Sequence, residues 1–269
     1  MPQSTVFRDS RSDRPARGGV PPARDPLRRA FAGALSFLLP TWCAGCELPG
    51  VDLCDACGVL LTPRARAGVL PDGTPVSTAL DFDGVPARVI RALKEDGRTG
   101  LARPLGSALR AAILQATEDA MRARADPGAV VLVPVPASRA ARRRRGYAVV
   151  EVLLRGAGAR PVRLLAPDRA AGDQRRLGRG ERARNVVGTM RARASTGSAV
   201  VVVDDVVTTG ATLGEAVRVL RAAGVQVVGA VALAATPRRP RGGVRGEEAG
   251  ELARREQGQS IRDIRVNRG

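Results

Sequence analysis

The chain has 269 residues, with 44 Lys plus Arg against 26 Asp plus Glu, no His, and a formal net charge of +18. That length fits one main domain with a small companion, and the lack of His excludes imidazole as a general base or metal ligand. Hydrophobic residues are 44% of the chain and aromatics only 2%, so a core has to be assembled from Val, Leu and Ala.

Lys94 is the one lysine; all other basic side chains are Arg. Residues 1–30 hold seven Arg against three Asp, and residues 236–269 hold nine Arg against five acids, so the middle of the chain is basic as well. Such a balance suits phosphate ligands or single-stranded nucleic acid.

In chain order, residues 1–27 are rich in Arg, Pro, Gly and Ser without apolar periodicity and are expected to be a disordered tail. Residues 28–63 form a module, beginning with a helix over 28–39 and continuing with four cysteines. The apolar run Ala30–Pro40 is too short to span a bilayer; no membrane span is expected, and the expected location is cytoplasmic. Thr62–Pro75 reads as a linker. Val76–Phe82 reads as a strand, and apolar Val85, Val89, Ile90 and Leu93 predict a helix over Val85–Lys94. A longer helix is expected over Leu101–Arg124, a buried strand over Val130–Val135, and one helix over Arg142–Leu154. A short strand at Val162–Leu165 precedes the Arg- and Gly-rich residues 166–193, which show no clear element. Ala199–Val203 is a second buried strand, Thr212–Ala223 a helix ended by Gly224, and Val225–Ala234 the last strand. Residues 237–269 read as a flexible basic tail. Continuous apolar strands alternating with helices over residues 76–236 predict an α/β fold, a parallel sheet flanked by helices.

The strand at Ala199–Val203 runs into Asp204, Asp205, Val206, Val207, Thr208, Thr209, Gly210, Ala211 and Thr212, where a helix begins. Gly210 lets the backbone approach a ligand. Loop amides and a helix start favour phosphate, and the hydroxyls of Thr208, Thr209 and Thr212 add donors. Two carboxylates at the carboxyl end of a central strand suit ribose hydroxyls and a hydrated Mg²⁺. An ordinary strand–turn–helix with a solvated acid pair is the plainer alternative.

Cys43, Cys46, Cys54 and Cys57 are the only cysteines, arranged as two CxxC pairs. That pattern places four thiolates around one Zn²⁺ and leaves no open position, which predicts a structural metal site. Redox pairs or unrelated thiols are the alternative.

The loop resembles the phosphoribosyl pyrophosphate (PRPP) motif of type I phosphoribosyltransferases. With the Cys₄ module ahead of it, and with Ile90–Lys94 followed by Gly97-Arg98, Val133–Pro136 followed by Arg139, Arg145-Gly-Tyr147, and Gln174 through Val186, the chain resembles the ComF family of competence-associated proteins over roughly residues 36–236. The resemblance implies a type I phosphoribosyltransferase-like sheet. It implies Asp204 and Asp205 as catalytic acids on the ribose, and Val207, Thr208, Thr209, Gly210, Ala211 and Thr212 as the PRPP-binding loop. It also implies Pro136, Ala137, Ser138 and Arg139 as a pyrophosphate-side loop, and Gln174, Arg182 and Asn185 as parts of a mobile active-site loop. Ala148 and Val149 stand where such proteins usually carry Asn-Gln, and Glu95 where an aromatic is common.

Two functions follow as expectations. One is phosphoribosyl transfer from Mg²⁺–PRPP to an unidentified acceptor, in a protein associated with competence and DNA uptake. The other is a non-catalytic nucleotide sensor or single-stranded DNA-binding uptake factor, with Arg142–Arg145 meeting a nucleic-acid backbone, pyrophosphate or only solvent.

Overall fold

The computed structural model describes residues 41–123, 129–168, 186–193 and 196–237. The expected tail 1–27, the helix 28–39 and residues 238–269 lie outside the described residues. Every described residue belongs to one compact unit that ends at Pro237.

The longest valine run decides the centre of the fold. Ala199–Val207 (β6) pairs in parallel with Val130–Pro134 (β3) on one side and with Val227–Ala235 (β7) on the other. β7 pairs in parallel with Pro75–Asp81 (β2), and the edge strand Arg66–Val69 (β1) joins β2 antiparallel. The sheet order is β1-β2-β7-β6-β3. Side chains alternate between faces as a strand requires: Val201 and Val203 enter one core, Val200 and Val202 the other.

Helices cover both faces. After a short helix at Asp55–Val59 (α1), Gly84–Glu95 (α2) and Ala102–Arg122 (α3), joined by a short 3-10 turn at Thr99–Leu101, enter the first core together with Val149–Gly156 (α5). Ala211–Ala222 (α6) packs on the second. α3 and α5 meet backbone to backbone. A Cβ on Gly106 would lie 2.4 Å from the carbonyl carbon of Gly156, and one on Gly156 would lie 2.1 Å from the Ala102 carbonyl oxygen.

Four expectations change. The residues read as a linker contain β1, whose four residues are all exposed; it pairs with the open edge of β2. The single helix over Arg142–Leu154 is two, Arg139–Arg145 (α4) and α5. Gly146 (φ 79°) ends the first in a left-handed turn, with its N–H on the Arg142 carbonyl. The strand at Val162–Leu165 shifts: Pro161 makes one bridge to Leu132, and Leu165–Pro167 (β4) then pairs antiparallel with Met190–Ala192 (β5). β6 also runs four residues past Val203, so the acid pair lies inside the strand.

Candidate functional site

The carboxyl end of β6 carries the acids. Asp204 sits opposite Ala232 of β7, is 8% exposed, and its carboxylate accepts the Asp205 N–H at 2.8 Å. Burial, and then the adjacent Asp205 charge, push its carboxyl up to about 7 against the pull of that N–H and of Lys94. Asp205 takes a different partner: the Lys94 ammonium donates to its Oδ1 at 3.0 Å, with both side chains largely buried. Lys94 is in the last turn of α2, a favourable place for a cation.

Beyond Val207 the chain turns through Thr208, Thr209 and Gly210. Gly210 is the N-cap of α6 at φ 81°, a conformation that costs a side-chain-bearing residue energy. A Cβ there would also press within 3.0 Å of Leu70. The cap has no side-chain hydrogen bond, and Thr208 and Thr209 are exposed. Two threonines of this turn are thus open to solvent, while the Ala211 N–H reaches only the Thr209 Oγ1, at a long 3.4 Å.

A cleft of about 420 Å³ opens above the acids. It gathers Asp204, Asp205, Thr208 and Thr212 with Pro136, Ala137 and Ser138, and adds Lys94 and Arg145. Val207, Thr209, Gly210 and Ala211 belong to the same turn but do not line the cleft. Ser138 caps α4, its Oγ accepting the Ala141 N–H at 3.2 Å. Arg139 turns into a neighbouring cleft of about 240 Å³, lined also by Arg142, Glu151, Arg163 and Arg193 and sharing the wall at Val135–Ala137. Arg163 is held by Glu151, which its guanidinium keeps below the usual carboxylate range. Gln174, Arg182 and Asn185 lie outside the described residues. Missed from sequence are the separation of Arg145 from its three neighbouring arginines, the second arginine-lined cleft, and the Lys94–Asp205 bond. Each joins segments that no local pattern connects.

The wall at Ala148 and Val149 is apolar: both line the cleft, and Val149 is buried. Neither offers a ligand a side-chain hydrogen bond.

The four cysteines line no part of this cleft. Their Sγ atoms lie within 4.8 Å of one another, and Cys46 and Cys54 are 3.6 Å apart. Tetrahedral Zn–S bonds of about 2.3 Å set sulfurs roughly 3.8 Å apart, so the cluster fits zinc. Burial alone would raise the Cys43 thiol, but N–H groups of Cys54, Gly45 and Cys46 bring it down to about 6, as a metal ligand needs. Burial and its neighbouring thiols push Cys57 up to about 12. Gly45 is required by close approach, since a Cβ would stand 2.6 Å from Cys57 Sγ; Gly58 faces open space. Arg88 and Arg98 fasten the module to α2 and the turn after it, through the Gly45 carbonyl at 2.7 Å and Asp52 Oδ1 at 2.7 Å.

Residues 170–244 match the family model of the phosphoribosyl transferase domain, a stretch that includes β5, β6, the Thr-Thr-Gly turn, α6 and β7. Over this segment the chain is phosphoribosyltransferase-like. A solved structure of UMP synthase from Leishmania donovani aligns with 66% of this chain at 17% identity and a TM-score of 0.28. The aligned part spans 30% of that structure's chain. The search of curated proteins gives no match. Among the described residues, no helix is long and apolar enough to cross a membrane.

Proposed function

We propose that the cleft binds PRPP, or a related phosphoribosyl ligand, with Mg²⁺, and transfers the phosphoribosyl group to an acceptor. The observation that carries this reading is the continuity of one short segment. Asp204 and Asp205 lie in the carboxyl-terminal part of a parallel strand, and two residues further on the Thr-Thr-Gly turn follows with Gly210 in the left-handed conformation. The turn would hold the 5′-phosphate, and the two carboxylates would accept the ribose hydroxyls, fixing C1 toward the acceptor.

Mg²⁺ would neutralise the departing diphosphate. The oxygen donors of Asp204 and Asp205 suit a hard cation, but Lys94 already occupies Asp205. The ion is therefore expected to arrive on the diphosphate, not in a protein cage of its own. Lys94 and the arginines of the cleft supply further positive charge as pyrophosphate leaves.

The apolar wall at Ala148 and Val149 favours a second reading, in which the site binds the same ligand as a sensor without turnover. A role in competence and DNA uptake rests on the resemblance to ComF proteins. The proposed zinc in the Cys₄ module would be structural.

The test is to incubate the protein with Mg²⁺ and PRPP, with and without candidate bases, following ligand binding and pyrophosphate release together. Release that depends on an acceptor supports transfer. Binding without release supports the sensor. Absence of both, unchanged in the Asp204→Asn/Asp205→Asn double variant, overturns the site.

A further inference from the structure

β1 buries none of its own four residues. What is buried lies just beyond it, in the turn that leads into β2. Leu70 is 4% exposed and Thr74 1%, and Leu70 belongs to the same core as Leu213, Ala216 and Val217 of α6. The hairpin therefore reaches the second core with its tip and not with its first strand.

The tip is closed on itself and fastened to α6. The Leu70 N–H donates to the Thr74 carbonyl at 2.9 Å, and the Gly73 N–H to the Leu70 carbonyl at 3.0 Å. Asp72 accepts the Thr74 N–H at 3.1 Å and the Thr74 hydroxyl at 2.8 Å. The same carboxylate accepts the Arg221 guanidinium of α6 at 3.0 Å. An exposed ion pair is weak alone, but this one joins a helix to a turn that is already rigid.

The tip meets the ligand turn at Gly210. That glycine is buried, whereas Thr208 and Thr209 before it are exposed. A Cβ on Gly210 would stand 3.0 Å from Leu70 Cδ2 and 3.5 Å from Pro71 Cδ. Glycine is the most freely moving residue in a backbone, and this one starts α6 without a side-chain cap. The turn therefore depends on packing from outside itself to keep one shape, and Leu70 is the side chain that supplies it.

We propose that Leu70 is a positioning residue for the ligand turn: packed against Gly210, it holds the Thr-Thr-Gly backbone ready for a phosphate before any ligand arrives. This rests on the reading of that turn as the 5′-phosphate site. A turn held ready loses little freedom on binding, whereas a loose one must be ordered by the ligand, which weakens affinity.

Calorimetric titration of the full chain with ribose 5-phosphate and, separately, with Mg²⁺–PRPP tests it, alongside hydrogen exchange at residues 210–213. The variants are Leu70→Ala, which leaves a void against Gly210, and Leu70→Met, which refills it. The comparator is Val225→Ala, which hollows the same core beyond the other end of α6. Leu70→Ala is expected to weaken both ligands about tenfold, the effect of re-ordering about one residue. The two losses should match, because both ligands carry the 5′-phosphate. Exchange at residues 210–213 should speed by about tenfold or more, with β7 unchanged. Leu70→Met should restore affinity to within about twofold, and Val225→Ala should bind as wild type does. If Leu70→Ala does not stay folded, Leu70→Val carries the comparison, with a loss of about threefold. Unchanged affinity, a loss confined to PRPP, or an equal loss in Val225→Ala overturns the role of Leu70 while leaving the cleft's reading intact. A wild-type chain that binds neither ligand overturns both.

Discussion

Lys94 and Asp205 are 111 residues apart in sequence and 3.0 Å apart at Nζ and Oδ1. This bond ties α2, the helix fastened to the cysteine module, to the strand that carries the acid pair. It also gives the ligand-free cleft a cation of its own.

Replacing Lys94 with Met leaves Asp205 beside Asp204 without its counter-ion. The expected cost is about 2 kcal/mol of stability at pH 8. The cost should shrink as the pH falls toward 5, where Asp204 holds a proton and no longer repels Asp205. Urea unfolding at the two pH values checks this.

Asp204 should make the ligand-free protein less stable as pH rises. Its folded pKa of about 7 is above its ordinary value of 3.8, so the folded state holds a proton that the unfolded chain has released. Linkage makes this contribution complete below about pH 4 and lost as the pH passes through about 7. Asp204→Asn removes the titration. The variant should melt above wild type at pH 8 and close to it at pH 4.5, measured without Mg²⁺ or ligand. Equal melting curves at pH 8 would count against a buried, unpaired carboxylate.

Removing metal should loosen the cysteine module. Four thiols this close gain no cohesion from one another without a cation. A chelator is expected to lower the melting temperature, and one equivalent of Zn²⁺ to restore it. Gly45→Ala, which would set a methyl group 2.6 Å from Cys57 Sγ, should lower zinc content as measured by elemental analysis.

Glu215 pins β5's approach to α6. Its side chain is 2% exposed and accepts the Gly188 N–H at 2.7 Å and the Arg218 guanidinium at 2.7 and 2.9 Å. Burial would raise its carboxyl, but these partners hold it below the usual range, so it contributes stability above about pH 4.5 that fades on acidification. Glu215→Ala should speed hydrogen exchange at residues 186–193 by about tenfold or more. Exchange in β6 should be little changed.

Legibility in the sequence followed burial. Val200–Val203 could be read because a strand covered on both faces must be apolar throughout, whereas its continuation through the acids to Val207 could not. β1 could not be read, because an edge strand with exposed Arg66, Ala67, Gly68 and Val69 looks like a loop until its partner is known. Apolar spacing carried one helix through Gly146, although the glycine's left-handed turn divides it. The acid pair and the Thr-Thr-Gly turn were visible because they are contiguous. Arg145 was visible only as one of four equal arginines, since which of them lines the acid-pair cleft has no local sequence signature.

The contact of Gly106 with Gly156 has a consequence for ligand choice. α5 begins at the cleft wall, Ala148 to Val150, and is seated on α3 with no room for a methyl group between them. Seated this closely, the helix cannot retreat toward α3, so added room on this side of the cleft has to come from exchanging the side chains at Ala148 and Val149 themselves.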